Sequence, residues 1–229
     1  MIRRKKKSRP DSKFAEISID GFQEIQLPKP TLGRDTSVIK ALQQRKTIRE
    51  ISDKKLSLQT LSNLLWAAWG VNRKVGPFEI PSRTAASASN SQEIDLYIAM
   101  YEGIYFFDAF NHRLEPVLAG DFRSLAIGIG QAGLMKNAPV QLIYVADIHK
   151  LSHTAGFREP GLQDPEVQKS YYFVDTGLIA GNVYLFAASQ GLAAWFHNCN
   201  REALAEKLNL RSEQRVLFGQ TVGYPMKKH

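Results

Sequence analysis

The first stretch that could do chemistry is "QRKTIRE", in which Arg45, Lys46 and Arg49 surround the hydroxyl group of Thr47. In an extended conformation, Arg45, Thr47 and Arg49 point to one side of the chain. Two guanidinium groups and a hydroxyl form a suitable clamp for a phosphate, because each guanidinium offers paired N–H donors. The alternative is that these cations stabilise the C-terminal end of a helix and face solvent.

The second stretch, "AASASNSQ", consists mostly of small side chains. Backbone with so few bulky groups can lie flat against a planar ring, and the segment Ser87, Ala88, Ser89 and Asn90 is its centre. The Asn90 amide offers both a donor and an acceptor, so it can read the polar edge of a heterocycle. The alternative is a plain turn or a helix N-terminus with serine caps.

Two further stretches follow predicted strands near the C-terminus. "GLAAWFHNC" places His197, Asn198 and Cys199 at the far end of a strand, where backbone N–H groups can donate to a ligand. A lone histidine is weak evidence, so we interpret the His197 side chain as structural and expect the main chain to act. "GQTVGYP" then releases Lys227 and Lys228 past a buried strand, unless they form a frayed cationic terminus.

The composition excludes several classes of protein. With 229 residues, 44% of them hydrophobic and 23% charged, the chain suits one globular core. Its single cysteine excludes an internal disulfide and a cysteine-based metal site, and we expect no metal. No apolar run reaches the roughly 18 residues that span a bilayer. No apolar leader follows the first charges. We therefore expect a cytoplasmic protein without membrane contact.

The net charge of +8 is concentrated in the opening "MIRRKKKSRP". We predict a disordered basic tail over residues 1–13, an extended arm over 14–35, and a single domain over 36–229. The alternative is an arm that binds nucleic acid or an anionic membrane, but no stacking aromatics interleave its charges, which argues against that role. The remainder is mildly basic, which suits an anionic ligand.

The elements that must position these stretches are read from apolar periodicity and caps. The patterns predict an α+β fold, a three-layer α/β/α sandwich around a mainly antiparallel sheet. Residues 71–83 are predicted as a loop, and 147–170 as a longer loop that covers a ligand with Phe157 and Tyr171. Helices are predicted near residues 36–45, 57–69, 121–133, 171–190 and 200–209, and strands near 94–101, 104–110, 113–118, 140–147, 193–197 and 215–224.

The four stretches, in this order and spacing, resemble one family. "RKTIR", "ASASNSQ", "GLAAWF" and "VGYP" are similar to the corresponding stretches of the FMN-dependent nitroreductases, over about residues 36–226. The run "RTAASASNSQEIDLYIAMYEG" is most similar to the branch of SagB-type, thiazole/oxazole oxidase-like dehydrogenases. Ala86 and Glu93 depart from this pattern, because prolines are usual at both positions.

The resemblance implies an intertwined homodimer with FMN at each of two interface sites. Arg45, Thr47 and Arg49 would then hold the phosphate and ribityl chain, with Lys46 nearby, and Lys227 or Lys228 would reach the phosphate. The other subunit would present Ser87, Ala88, Ser89 and Asn90 to the isoalloxazine ring. Backbone at His197, Asn198 and Cys199 would lie near flavin N5.

The resemblance also implies the reaction. NADH or NADPH would deliver hydride to flavin N5, and electrons would pass to a small nitro- or quinone-type acceptor in a ping-pong scheme without an indispensable side-chain acid or base. One alternative keeps FMN but oxidises an azoline or another metabolite, as SagB-type enzymes do. The other is a non-enzymatic binding protein that uses its basic tail.

Overall fold

A computed structural model of the chain describes residues 22–31, 33, 36–131 and 137–227. The predicted tail at 1–13, the arm before Phe22 and the predicted site residue Lys228 lie outside the described residues. In the remainder of the arm, a two-residue strand pairs with the central sheet, and the Phe22 ring packs 5.1 Å from that of Tyr105.

The centre of the fold is a seven-stranded sheet with the order β1-β6-β5-β4-β7-β9-β8, in which every described neighbouring pair is antiparallel. A separate pair, β2 and β3, forms a small antiparallel ribbon. The strands are β1 (Ile25–Gln26), β2 (Val71–Arg73), β3 (Ser82–Arg83), β4 (Ile94–Ala99), β5 (Gly103–Asp108), β6 (Arg113–Ala119), β7 (Val140–Asp147), β8 (Ala193–His197) and β9 (Gln214–Gly223).

The described part of the chain contains five α-helices, and each begins after a residue whose side chain accepts a hydrogen bond from a backbone N–H of the first turn. These N-caps are Ser37, Ser57, Asp147, Asp164 and Asn200. The helices are α1 (Val38–Gln44), α2 (Leu58–Trp69), α3 (Ile148–His153), α4 (Pro165–Ser189) and α5 (Arg201–Lys207).

Two apolar layers cover the two faces of the sheet, and β7 shows why. All eight of its residues are buried, because alternate side chains enter opposite layers. Leu142 and Tyr144 join the layer built with α2 and α4, whereas Ile143 and Val145 join the layer built with α5. The predicted α+β three-layer architecture is confirmed.

The helix predicted over 121–133 is wrong. The described residues there form two short 3-10 turns, at Arg123–Ala126 and Ile129–Gln131. Gly128 and Gly130 each disfavour a continuous α-helix by about 1 kcal/mol. The Arg123 side chain also fixes a local turn, because it bonds to both Asp121 carboxylate oxygens and to two carbonyl groups further along the chain.

The segment predicted as a long loop over 147–170 is largely structured. It contains α3 and a 3-10 turn at Pro160–Gln163, and α4 begins at Pro165, earlier than predicted. Asp164 caps this start, and a proline suits the first helical position. Phe157 is 1% exposed and packs in the core against Tyr171, so it cannot cover a ligand in this conformation.

Two smaller predictions also need correction. The predicted loop at 71–83 contains the β2–β3 ribbon. Helix α1 ends at Gln44, so Arg45 lies just outside it, with extended-type backbone at φ −58° and ψ 120°.

Among the described residues, no helix has both the length and the apolar character that a membrane crossing requires.

Candidate functional site

The cationic segment 45–49 lies along the outer edge of the central sheet. The edge strand is β8, and the Ile48 N–H donates to the Ala194 carbonyl at 3.1 Å. Beside this contact, the Tyr184 hydroxyl on α4 accepts the Phe196 N–H at 2.8 Å and lies 3.2 Å from the Thr47 hydroxyl. The first and third predicted stretches are therefore neighbours, although about 150 residues separate them in sequence.

The charged side chains of this segment remain accessible. Arg45, Lys46 and Arg49 are exposed, and none of them forms an ion pair with a described acidic residue. Two aromatic rings support the arginines: the Arg45 guanidinium lies 5.7 Å from the Tyr184 ring centre, and that of Arg49 lies 5.0 Å from the Trp195 ring centre. Such contacts orient a guanidinium and leave its N–H groups free to donate.

A cavity of about 460 Å³ opens at this segment, and the C-terminal segment forms part of its wall. The Met226 N–H donates to the Glu50 carbonyl at 2.9 Å, and Ile51 bridges to Pro225. Lys227 follows directly and is exposed. The lining residues are Lys46, Thr47, Ile48, Arg49, Glu50, Pro225 and Met226.

Along the edge of β8, alternate backbone groups point away from the sheet. Ala194 and Phe196 use theirs for Ile48 and Tyr184. Asn198 continues this alternation one step past the strand, it is exposed, and its N–H donates to no described protein acceptor. This amide is therefore a candidate donor to a ligand at the edge.

The side chains of His197 and Cys199 are turned into the protein. The His197 Nδ1–H donates to the Asn198 carbonyl at 2.8 Å, and Nε2 lies 2.8 Å from the Thr221 hydroxyl. Burial lowers the pKa of His197 and raises that of the Cys199 thiol to about 11. Both side chains are neutral at pH 7, which agrees with the structural interpretation of the His197 side chain.

The second predicted stretch lines a different cavity, of about 590 Å³. Ser87, Ser89 and Asn90 contribute to it, together with the β2–β3 ribbon and the turn at Pro77–Glu79. Its lining includes the cations Arg73 and Arg83 and no acidic residue. The full lining is Asn72, Arg73, Pro77, Phe78, Ser82, Arg83, Thr84, Ala85, Ala86, Ser87, Ser89 and Asn90.

Hydrogen bonds within the chain hold this stretch in an unusual conformation. Ser89, Asn90 and Gln92 have φ values of 48°, 55° and 51°, in the left-handed region that non-glycine residues rarely adopt. The Asn90 amide donates to the Ile80 carbonyl at 3.2 Å and accepts from Gln92 at 3.1 Å. Its side chain is thus engaged locally, and a contact between Asn90 and a ring stays a prediction.

The Arg83 side chain also binds to the small-residue stretch. Its Nε donates to the Gln92 side chain at 2.6 Å, and its guanidinium lies 5.2 Å from the Trp69 ring centre and 4.5 Å from that of Phe110. Burial lowers the pKa of Arg83 to about 10, so the group remains charged at pH 7. The cavity therefore has a positive wall.

Three residues that bear on these cavities were not among the predicted site residues: Tyr184, Arg83 and Asp175. Tyr184 joins the cationic segment to β8, and Asp175 accepts the Ala88 N–H at 2.8 Å. Both lie on α4, far in sequence from what they bind. Arg83 directly precedes the small-residue stretch, and this position in the sequence indicates that it could lie at the second cavity.

Within the described chain, the two cavities share no lining residue. The structure joins the first, third and fourth predicted stretches at the edge of β8 and leaves the second stretch apart.

Comparisons with known proteins agree with this fold. Residues 42–224 match the model of the nitroreductase family. A protein of Methanocaldococcus jannaschii that carries the name nitroreductase is 29% identical over 199 residues, which cover 80% of this chain and 90% of that protein. A solved structure from Ralstonia eutropha, also named as a nitroreductase, is 32% identical, covers 90% of this chain and 91% of its own, and has a TM-score of 0.76.

A more distant likeness extends to a biosynthetic complex. A chain of the E. coli microcin synthetase McbBCD complex has a TM-score of 0.63 and 19% identity, with 87% of this chain and 77% of that chain covered. At this identity the likeness concerns the fold alone.

The family match, which spans most of the chain and includes all four stretches except the last residue of the fourth, is decisive: this protein belongs to the nitroreductase family.

Proposed function

We propose that this protein is an FMN-dependent oxidoreductase that takes reducing equivalents from NADH or NADPH and reduces a small organic acceptor. Family membership supports an oxidoreductase. The observation that carries the FMN assignment is the exposed, cationic segment 45–49, held by Tyr184 and Trp195 at the edge of β8.

The donor groups at this edge suit the phosphate end of FMN. Arg45, Lys46 and Arg49 supply positive charge and N–H donors, and Thr47 supplies a hydroxyl. Lys227 adds a further cation from the C-terminal segment. The cavity of about 460 Å³ lies within the range of roughly 300–1,000 Å³ that small-molecule sites occupy.

The remaining groups suit the ring end of the cofactor. The outward Asn198 N–H is a donor that could face flavin N5, and Cys199 follows it in the chain. The second cavity is lined by the small residues Ser87 and Ser89 beside a positive wall, and Ala88 lies between them in the chain.

A homodimer would bring the two cavities together, because one chain keeps them apart. Two helices present apolar side chains to solvent: Val38 and Ile39 of α1 are 67% and 65% exposed, and Val174 of α4 is 60% exposed. At Gly177 on the same helix, an added Cβ would meet no atom within 4 Å. Exposed apolar surface of this kind marks an interface, and a second copy of this chain is the occupant that would complete the site.

The chemistry that FMN supplies when bound is two-electron transfer between a nicotinamide and an organic acceptor. The chain's own groups bind and orient. Arg45 and Arg49 would hold the phosphate, the Asn198 N–H would donate at the ring, and the main chain of residues 87–89 would shield one ring face from water. The buried and neutral side chains of His197 and Cys199 take no proton in this scheme.

The phosphate assignment is tested by the double variant Arg45→Ala/Arg49→Ala. Each charge-assisted hydrogen bond contributes about 1.5–3 kcal/mol, so loss of two should raise the dissociation constant of FMN by at least about 100-fold. Fluorescence titration of flavin-free protein with FMN measures the constant.

A matched control removes two exposed cations away from both cavities, Lys29→Ala/Lys207→Ala, and should bind FMN as the unmodified protein does. If the Arg45/Arg49 double variant keeps stoichiometric FMN with unchanged affinity, the phosphate assignment is wrong. An equal loss of affinity in both double variants would instead indicate a general charge effect.

A further inference from the structure

Two buried carboxyl groups meet beneath the second predicted stretch. Glu93 is 0% exposed and Asp175 of α4 is 4% exposed. Glu93 Oε2 accepts from the Ser91 hydroxyl at 2.6 Å, whereas Oε1 is buried and has no hydrogen-bond partner among the described residues. The Asp175 carboxyl lies close enough to Glu93 for each to raise or lower the other's pKa. Neither acid forms an ion pair with a described lysine, arginine or histidine.

Two ionised carboxylates cannot share such a site without a cation, because like charges in a dry environment repel strongly. The repulsion is removed if Glu93 is protonated and its carboxyl O–H donates a hydrogen bond to the Asp175 carboxylate. Asp175 already accepts the Ala88 N–H at 2.8 Å through Oδ2, and a carboxylate suits that donor best. The proton therefore belongs on Glu93 and the negative charge on Asp175.

The other acids near this point have their own cations. Asp147 of β7 donates its N–H to the Glu93 carbonyl, but its carboxylate pairs with Arg211 at 2.5 Å. Asp95, two residues further along β4, pairs with Lys150 at 2.5 Å. Among the described residues, neither Glu93 nor Asp175 has a cation that would balance its negative charge.

The segment that this pair touches is strained and needs external support. Ser89, Asn90 and Gln92 occupy the left-handed backbone region, which persists only where the surroundings determine the conformation. The Ala88 N–H bond to Asp175 ties the middle of this segment to α4. The Ser91 bond to Glu93 ties its far end to the same pair.

We propose that Glu93 and Asp175 share one proton in the folded protein, and that this proton-sharing pair positions the Ser87–Gln92 segment on α4. Glu93 and Asp175 are positioning residues, because neither contacts a reacting group. The consequence for flavin binding rests on the proposed function, in which the segment contacts the ring. The shared proton itself does not.

The pair makes the segment sensitive to pH in the neutral range. Burial and the charge of Asp175 raise the pKa of Glu93 from 4.5 to about 8. Between these values the folded protein holds a proton that the unfolded chain has released, so stability falls as the pH rises from about 4.5 to about 8. Above that range both carboxyls are ionised, and their repulsion loosens the support of the Ala88 amide.

The first test uses flavin-free protein with carboxyl-labelled glutamate and NMR titration. We expect one glutamate carboxyl carbon to titrate with a midpoint near pH 8, to disappear in Glu93→Gln, and to move to lower pH in Asp175→Asn. The Ala88 amide shift should follow the same midpoint in the unmodified protein and stay constant in Glu93→Gln. If every glutamate titrates in the ordinary range near pH 4.3, the shared proton does not exist.

The second test measures the FMN dissociation constant between pH 6.5 and 9. Affinity should fall through the Glu93 midpoint in the unmodified protein and in the surface control Glu202→Gln. Glu93→Gln should lack this step, since its amide donates at every pH. If FMN binds but Glu93→Gln keeps the step, the positioning role is wrong. If no FMN binds at any pH, the proposed function fails, while the NMR titration still decides the shared proton.

Discussion

Removal of one oxygen from Tyr184 probes the junction between the cationic segment and β8. The Tyr184 hydroxyl accepts the Phe196 N–H at 2.8 Å and lies 3.2 Å from the Thr47 hydroxyl, and Tyr184→Phe removes both contacts while it keeps the ring under Arg45. Phe196 is half-buried, so water can partly replace the lost acceptor. We expect a loss of about 1–1.5 kcal/mol in the free energy of unfolding.

Urea denaturation of the flavin-free protein measures this loss, which should also lower the melting temperature by about 2–6 °C. Thr47→Val is the matched control: its hydroxyl is exposed, so alone it should cost less than about 0.5 kcal/mol. The double variant should cost less than the sum of the two single variants, because they share a bond. A change below about 0.3 kcal/mol in Tyr184→Phe, or strict additivity, would refute the junction.

Two further predictions concern the sheet and the thiol. Gly219→Ala should destabilise the protein by about 1–3 kcal/mol, because its Cβ would lie 2.2 Å from the Ala126 carbonyl oxygen and 2.8 Å from the His197 ring. Gly161→Ala, with no atom within 4 Å, should change the unfolding free energy by less than about 0.5 kcal/mol, and equal effects in thermal denaturation would contradict this packing. Cys199, 6% exposed and with a pKa of about 11, should react with a thiol reagent at least about 100-fold more slowly in the folded protein than in urea. Equal rates would show that the thiol is accessible.

Elements with local signals were predictable from the sequence. Helix α2 lies between the cap Ser57 and Gly70, as predicted, and β7 is the buried strand that its apolar run indicates. The start of α4 also had a local signal in "DPE", where Asp164 caps the helix and Pro165 opens it. The polar composition of the preceding segment indicated a loop instead, and the predicted helix therefore began at residue 171.

The order of the strands and the partners of the site residues depend on long-range contacts that no local pattern records. β4 lies between β5 and β7, and β9 between β7 and β8, because side chains from distant segments complete the two apolar layers. Thr47 meets Tyr184 across 137 residues, and Ala88 meets Asp175 across 87. The sequence indicated which stretches could bind a phosphate or a planar ring, but not the α4 side chains that hold these stretches in place.

The most direct measurement of the central claim is the flavin content of the purified protein, followed by titration of any flavin-free fraction with FMN. We predict a yellow protein with a flavin absorption spectrum, and uptake of added FMN to one equivalent per chain. A protein that is colourless after gentle purification and takes up no added FMN would contradict the assignment of the cationic edge segment as a cofactor site.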